Sequence, residues 1–276
     1  MVQIKEHGCY WEVDSNNNLV NENIQKELSL KAQKISDLFL EEIDKLSLEF
    51  HSVYIGGSYS TNTAIENSDI DFLIITNDGE SFQTLEADFK QNHCEKVSKV
   101  IKEKLNINIH VDVNVYDVDV FKLDYPNRFV HKCIKGENLS LSTISFDCIK
   151  SKNLDGLEND DLNYLRIVNR EVLEFIDKYW ETEKDEIDLS IKHYTKLLLR
   201  SCFNTICIDK KIWTRSLYYC YYFFIQEFPE TENLTRRVLE LFLNPRKSKE
   251  EIKKILKQSL FLVRHMQDRL EVTKYL

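Results

Sequence analysis

Glycine and proline are scarce: the 276 residues contain six glycines and three prolines. Collagen-like repeats, flexible linkers and most turn-rich all-β architectures consume both residues in quantity, so these classes are excluded. Long apolar runs are missing too. The longest, Leu217 to Ile225, is 9 residues, under half of the roughly 20 that a membrane-crossing helix needs. Met1 to Tyr10 contains no apolar stretch of the kind a secretory leader uses. The cysteines number seven, with no CxxC spacing. Neither a disulfide framework nor a zinc site is indicated, and a reducing cytoplasm is the expected location.

What is present is a balance of 42% hydrophobic and 30% charged residues, the composition of a globular chain long enough to bury its own core. The net charge of -9 is unevenly placed. Residues 1–150 carry 25 acidic and 15 basic side chains, while residues 151–276 carry 21 and 22. Such an acidic N-terminal half is a poor match to a long nucleic-acid backbone. It suits metal ions or a cationic small molecule.

Periodicity divides the chain at about residues 150–158. Before that point strands and helices mix. Residues 8–20 read as two short strands around an Asn-rich turn, and residues 24–48 as an amphipathic helix carrying Ile35, Leu38, Phe39 and Ile43. Short β-rich runs follow at 52–55 and 69–76, then a helix within 82–105. Residues 107–116 alternate strictly, with Val111, Val113 and Val115 on one side and His110, Asp112 and Asn114 on the other. After residue 155 the segments 159–180, 186–208, 214–228, 231–243 and 248–273 all read as helices, with Pro229 and Pro245 in the gaps. The expected fold class is α+β: a mixed-sheet domain with flanking helices over 1–150, followed by an all-helical bundle over 151–276.

One constellation carries chemistry. Gly56-Gly57-Ser58 ends a short strand, and after ten intervening residues comes Asp69-Ile70-Asp71. On a strand Asp69 and Asp71 share a face, so both can serve divalent cations. Glycines after a strand let backbone N–H groups and the Ser58 hydroxyl approach a phosphate. Asp112, on the polar face of the later strand, is the expected third carboxylate. Its competitors are Asp117, on the other parity, and Asp119, past the end of the alternation. His110 and Asn114 read as neighbours rather than ligands. Three convergent carboxylates suit phosphoryl or nucleotidyl transfer assisted by two metal ions. The bland reading, a glycine turn followed by an ordinary strand, accounts for DID alone but not for its spacing from GGS together with the third strand.

The segments GGSYSTNTAIENSDIDFLI (56–74), HVDVNVYD (110–117) and FVHKCIKGENLS (129–140), with a helical C-terminal half, resemble the DNA polymerase β-like nucleotidyltransferase superfamily. The greatest similarity is to the bacterial antibiotic nucleotidyltransferases of the aminoglycoside-modifying type. The motif-bearing resemblance spans residues 50–140. It implies a five-stranded mixed sheet and transfer of a nucleoside monophosphate from an NTP, ATP first, to a hydroxyl of a small acceptor such as an aminoglycoside. It also implies two Mg2+ ions, with Mn2+ as a substitute, bound by Asp69, Asp71 and Asp112, and nucleotide held by Gly56, Gly57 and Ser58. In this family the acceptor lies between the two halves or across a homodimer. A second nucleotide, a tRNA end or a protein hydroxyl are alternative acceptors, and a nucleotide-binding module without catalysis is the alternative outside enzymes.

In the helical half Lys192, Lys196 and Arg200 form one stripe at i, i+4, i+8. A solvated face explains it as well as triphosphate contacts do; Lys196 and Arg200 are the nucleotide-binding candidates. The aromatic run Tyr218 to Phe224 reads as core, with one or two tyrosines available to stack a base or a substrate ring. The lysine-rich 246–257 reads as a solvated helix face.

Overall fold

Residues 4, 6–15, 19–20, 27–46, 50–62, 64, 68–76, 86–118, 139–141, 157–178, 184–207, 209–245 and 247–273 are described by the structure, a computed structural model. The chain divides into two units, Asn18–Asn153 on one side and Met1–Asn17 with Leu154–Leu276 on the other.

The first unit contains β2 (Leu19–Val20), α1 (Leu30–Asp44), β3 (Phe50–Gly56), the single turn α2 (Gly57–Ser60), β4 (Ile70–Thr76), α3 (Cys94–Leu105), β5 (Val111–Asp117) and β6 (Leu139–Ser140). Four of its strands form a mixed sheet in the order β5-β4-β3-β6. β3 runs antiparallel to β4 and β6, and β4 runs parallel to β5. Val53 and Ile55, then Ile70, Phe72 and Ile74, then Val111, Val113 and Val115 point to one face. There they pack with Ile35, Leu38, Phe39 and Ile43 of α1 and Val97 and Ile101 of α3. Phe39 stacks on Phe72 with ring centroids 3.7 Å apart.

Local chemistry sets the element ends. Ser29 caps α1 by accepting from the Ala32 N–H at 3.2 Å, as its side-chain oxygen is suited to do. Asn106 closes α3 in the left-handed conformation, which asparagine tolerates better than most residues. The strand expected over 107–116 begins only at Val111. Its neighbour β4 starts at Ile70, the register partner of Val111, so residues 107–110 have no strand beside them among the described residues. The expected helix over 82–105 is found from residue 86, with a π-helical turn at Phe89–His93 before Cys94. Residues 82–85, 24–26, 129–138 and Asp119 lie outside the described residues.

In the second unit the helices are α4 (Leu157–Lys178), α5 (Lys184–Asn204), α6 (Leu217–Glu227), α7 (Glu232–Leu243) and α8 (Lys249–Thr273). Each falls within four residues of its expected bounds. The opening strand β1 (Trp11–Val13) also belongs here, because Trp11 and Glu12 pair antiparallel with Trp213 and Ile212 of β7 (Ile212–Trp213). A sequence-based boundary that gave residues 1–150 to the sheet therefore differs from the structure over the first seventeen residues. The pairing is with a segment two hundred residues away, which local periodicity does not register. Among the described residues no helix is long and apolar enough to cross a membrane.

Candidate active site

The register across the sheet assembles the site. Gly56 on β3 stands opposite Asp71 on β4, and Asp71 stands opposite Asp112 on β5. The next row, Ile55, Phe72 and Val113, faces the core. Strand side chains alternate, so Gly56, Asp71 and Asp112 form a row on the other face. The two aspartates sit on adjacent strands, about 4.8 Å apart along the hydrogen-bonding direction. Both are half-buried, whereas Asp69, one residue before β4, is exposed.

Gly57 takes the chain out of this row into α2. Its φ is +63°, and a Cβ built there would lie 2.1 Å from the Asp71 Oδ2. Only glycine leaves room for that carboxylate, so the Asp71 side chain rests against the glycine turn itself. The space beside Gly57, expected to admit a phosphate, is taken first by the Asp71 carboxylate. Ser58 follows, half-buried within the turn. The Ser60 hydroxyl donates to the Gly57 carbonyl at 2.9 Å, and Thr61 Oγ1 donates to the same oxygen at 3.1 Å, fixing the turn from its far end.

Asp112 has a second set of neighbours. Among the described residues β5 lies at the edge of the sheet, with outward N–H groups at Val113 and Val115. The first donates to Asp112 Oδ1 at 3.0 Å and the second to Glu86 Oε2 at 3.3 Å. The other Glu86 oxygen pairs with Lys90 at 2.6 Å. That bond, reinforced by the charge of Asp112, holds the Lys90 ammonium above the ordinary lysine pKa against the opposing effect of burial. Burial and then Asp112 push the Cys94 thiol up to about 11, so it stays protonated and is no nucleophile at neutral pH. Glu86, Lys90 and Cys94 were not singled out from the sequence. Their i, i+4, i+8 spacing was the available signal, but nothing local ties that stripe to β5.

The competitors for the third carboxylate fare differently. Asp117 is buried at the far end of β5, opposite Thr76, five residues and roughly 16 Å along the strand from Asp112. His110 is exposed, and its carbonyl accepts from the Ile70 N–H at 2.9 Å. Lys196 and Arg200 lie on α5 in the second unit. The Lys196 ammonium sits 5.9 Å from the centre of the Phe242 ring, and Arg200 Nε donates to the Arg215 carbonyl at 3.1 Å.

Among the described residues no three acidic, histidine or cysteine side chains converge to hold one ion by themselves. The donor set nevertheless fits Mg2+ or Mn2+. It consists of hard carboxylate oxygens, and Mg2+ is typically held by one or two carboxylates with waters and substrate phosphates completing the shell. The lack of a Cβ at Gly57 turns the Asp71 carboxylate toward the glycine turn, where a phosphate would have to lie to share an ion with it.

Residues 22–135, which lie within the sheet-bearing unit, match the model of the nucleotidyltransferase domain family, the kind of domain that the resemblance to the DNA polymerase β-like superfamily implied. Over the longer chain, the structure is similar to that of the spectinomycin adenyltransferase AAD(9) from Enterococcus faecialis, solved with ATP and spectinomycin. The TM-score is 0.52, covering 87% of this chain and 99% of that one at 15% identity, a likeness of fold. No curated protein matches the chain.

Proposed function

We propose that this protein is a Mg2+-dependent nucleotidyltransferase that moves a nucleoside monophosphate from an NTP, with ATP preferred, to a hydroxyl of a small acceptor of the aminoglycoside kind. The observation that carries the reading is the row Gly56–Asp71–Asp112. It brings a glycine turn and two carboxylates together at one end of three neighbouring strands, within a segment that matches the nucleotidyltransferase domain family. The adenyltransferase of similar fold, solved with ATP and an antibiotic, supports the choice of substrates.

In this reading Asp71 and Asp112 bind metal and Asp69 completes the set from the rim. Bound there, two Mg2+ ions supply charge neutralisation for the triphosphate and polarise the reacting oxygens. The backbone of Gly56 and Gly57 and the Ser58 hydroxyl hold phosphate oxygens beside the Asp71 carboxylate, which rests against the same turn. Asp112 orients the acceptor hydroxyl and takes its proton, a role that suits a half-buried carboxylate.

The test is transfer of label from α-32P-ATP to pooled aminoglycosides, nucleotides, tRNA and protein in the presence of Mg2+. The proposal expects label on an aminoglycoside. Label on any other class keeps the transferase and replaces the acceptor; nucleotide binding without transfer to any class removes the enzymatic reading.

A further inference from the structure

The aromatic run Tyr218 to Phe224, expected to be core, divides between two faces of α6. Leu217, Cys220, Tyr221, Phe223 and Phe224 are buried. Tyr218 and Tyr219 are half-buried and Tyr222 is 38% exposed. The strand-bearing N-terminal segment runs beside this second face and is fixed there. The Ser216 hydroxyl donates to the His7 carbonyl at 2.8 Å, the Thr214 hydroxyl to the Cys9 carbonyl at 2.7 Å, and the Val13 N–H to the Lys211 carbonyl at 2.8 Å.

This anchoring builds an aromatic wall. Tyr219 meets Tyr10 edge-on at 5.0 Å and Tyr218 edge-on at 5.1 Å, while Tyr218 stacks over Tyr222 at 6.0 Å. Glu6 stands at its rim and accepts the Tyr219 hydroxyl at 2.5 Å. Burial first, then Glu6, raises the pKa of both Tyr218 and Tyr219, so the phenols remain neutral and Glu6 supplies the local charge. Among the described residues no cation pairs with that carboxylate. Tyrosine faces carry negative potential, and a carboxylate beside them adds to it.

We propose that Glu6, Tyr218, Tyr219 and Tyr222 form a binding site for a small organic ammonium ion, held by the tyrosine faces and the Glu6 carboxylate. An anionic ligand is excluded by Glu6, and a purely apolar one would desolvate the carboxylate without replacing its water. A bare metal ion would find only one carboxylate. The site lies wholly within the second unit and does not depend on the transferase reading.

The probe is choline, compared with 3,3-dimethyl-1-butanol, its uncharged isostere, added to the full-length protein carrying ring-labelled tyrosine and followed by NMR. Saturable shifts at Tyr218, Tyr219 and Tyr222 with choline are expected, with the isostere weaker by about tenfold, as a sheltered cation–π contact implies. Glu6→Gln and Tyr222→Leu are surface changes that leave the core in place, and each should weaken choline several-fold. Equal binding of choline and the isostere, choline shifts confined to other tyrosines, no saturable shift at all, or unchanged affinity in both variants would each overturn the proposal.

Discussion

Replacing Gly57 by alanine tests how closely the glycine turn and the Asp71 carboxylate are coupled. Two costs arise. A residue with a Cβ at φ +63° pays about 1–2 kcal/mol for left-handed backbone. The new Cβ also meets Asp71 Oδ2 at 2.1 Å, where ordinary contact begins at 3.4 Å, so the carboxylate must retreat by more than an ångström. Forcing the side chain off its rotamer costs about 0.5–1.5 kcal/mol. The total, about 2–3 kcal/mol, corresponds to a fall of roughly 5–10 °C in the melting temperature of a unit this size. A displacement of this kind at a reacting centre lowers turnover by about 100-fold. The decisive assay is a double-mutant cycle read by denaturant unfolding. In an Asp71→Ala background the clash is absent, and Gly57→Ala should cost only its backbone share, leaving a coupling of about 0.5–1.5 kcal/mol. Strict additivity of the two substitutions would refute the contact and the geometry built on it.

Asp112→Asn should abolish transfer and leave the fold intact, since Asn Oδ1 can still accept from the Val113 N–H. Mg2+ should stabilise the wild type by about 2.7 kcal/mol at a hundredfold excess over its Kd, and the variant less, as thermal melts with and without Mg2+ will read. Phe72→Ala removes the ring stacked on Phe39 and should cost about 3–5 kcal/mol in denaturant unfolding. Glu42, buried between Lys45 and Lys96, has a lowered pKa caused first by its bond to Lys45. Its contribution is therefore fully present above the ordinary glutamate range and lost as pH falls through the folded-state value. Glu42→Gln should cost about 1 kcal/mol at pH 7, with the difference from wild type shrinking in unfolding curves taken below pH 4.5.

The site was legible in the sequence where one strand's own pattern specified it. The alternation of Val111, Val113 and Val115 placed Asp112 on the polar face, and the register with Asp71 agrees. What remained hidden depends on contacts between distant segments. The pairing of Trp11 with Trp213 brings the first residues to the helical unit. Glu86 reaches the Val115 N–H from another element, and Gly57 is constrained by the carboxylate of Asp71 fourteen positions on. The helices after residue 155 were readable because each carries its own apolar stripe, whereas the aromatic run at 218–224 misled. Its tyrosines look equally apolar in sequence, and only the packing of α6 separates Tyr221 in the core from Tyr222 at the surface. Strand ends, as at residues 107–110, depended on where the neighbouring strand begins.

The row Gly56–Asp71–Asp112 is proposed to transfer a nucleotidyl group. The most direct measurement is pyrophosphate release from ATP and Mg2+ with a panel of hydroxylated acceptors, made in parallel for wild type, Asp71→Asn and Asp112→Asn, each checked for folding. The account predicts acceptor-dependent release by wild type, lost in both variants and on chelation of Mg2+. Release that persists at the wild-type rate in either folded variant would contradict it.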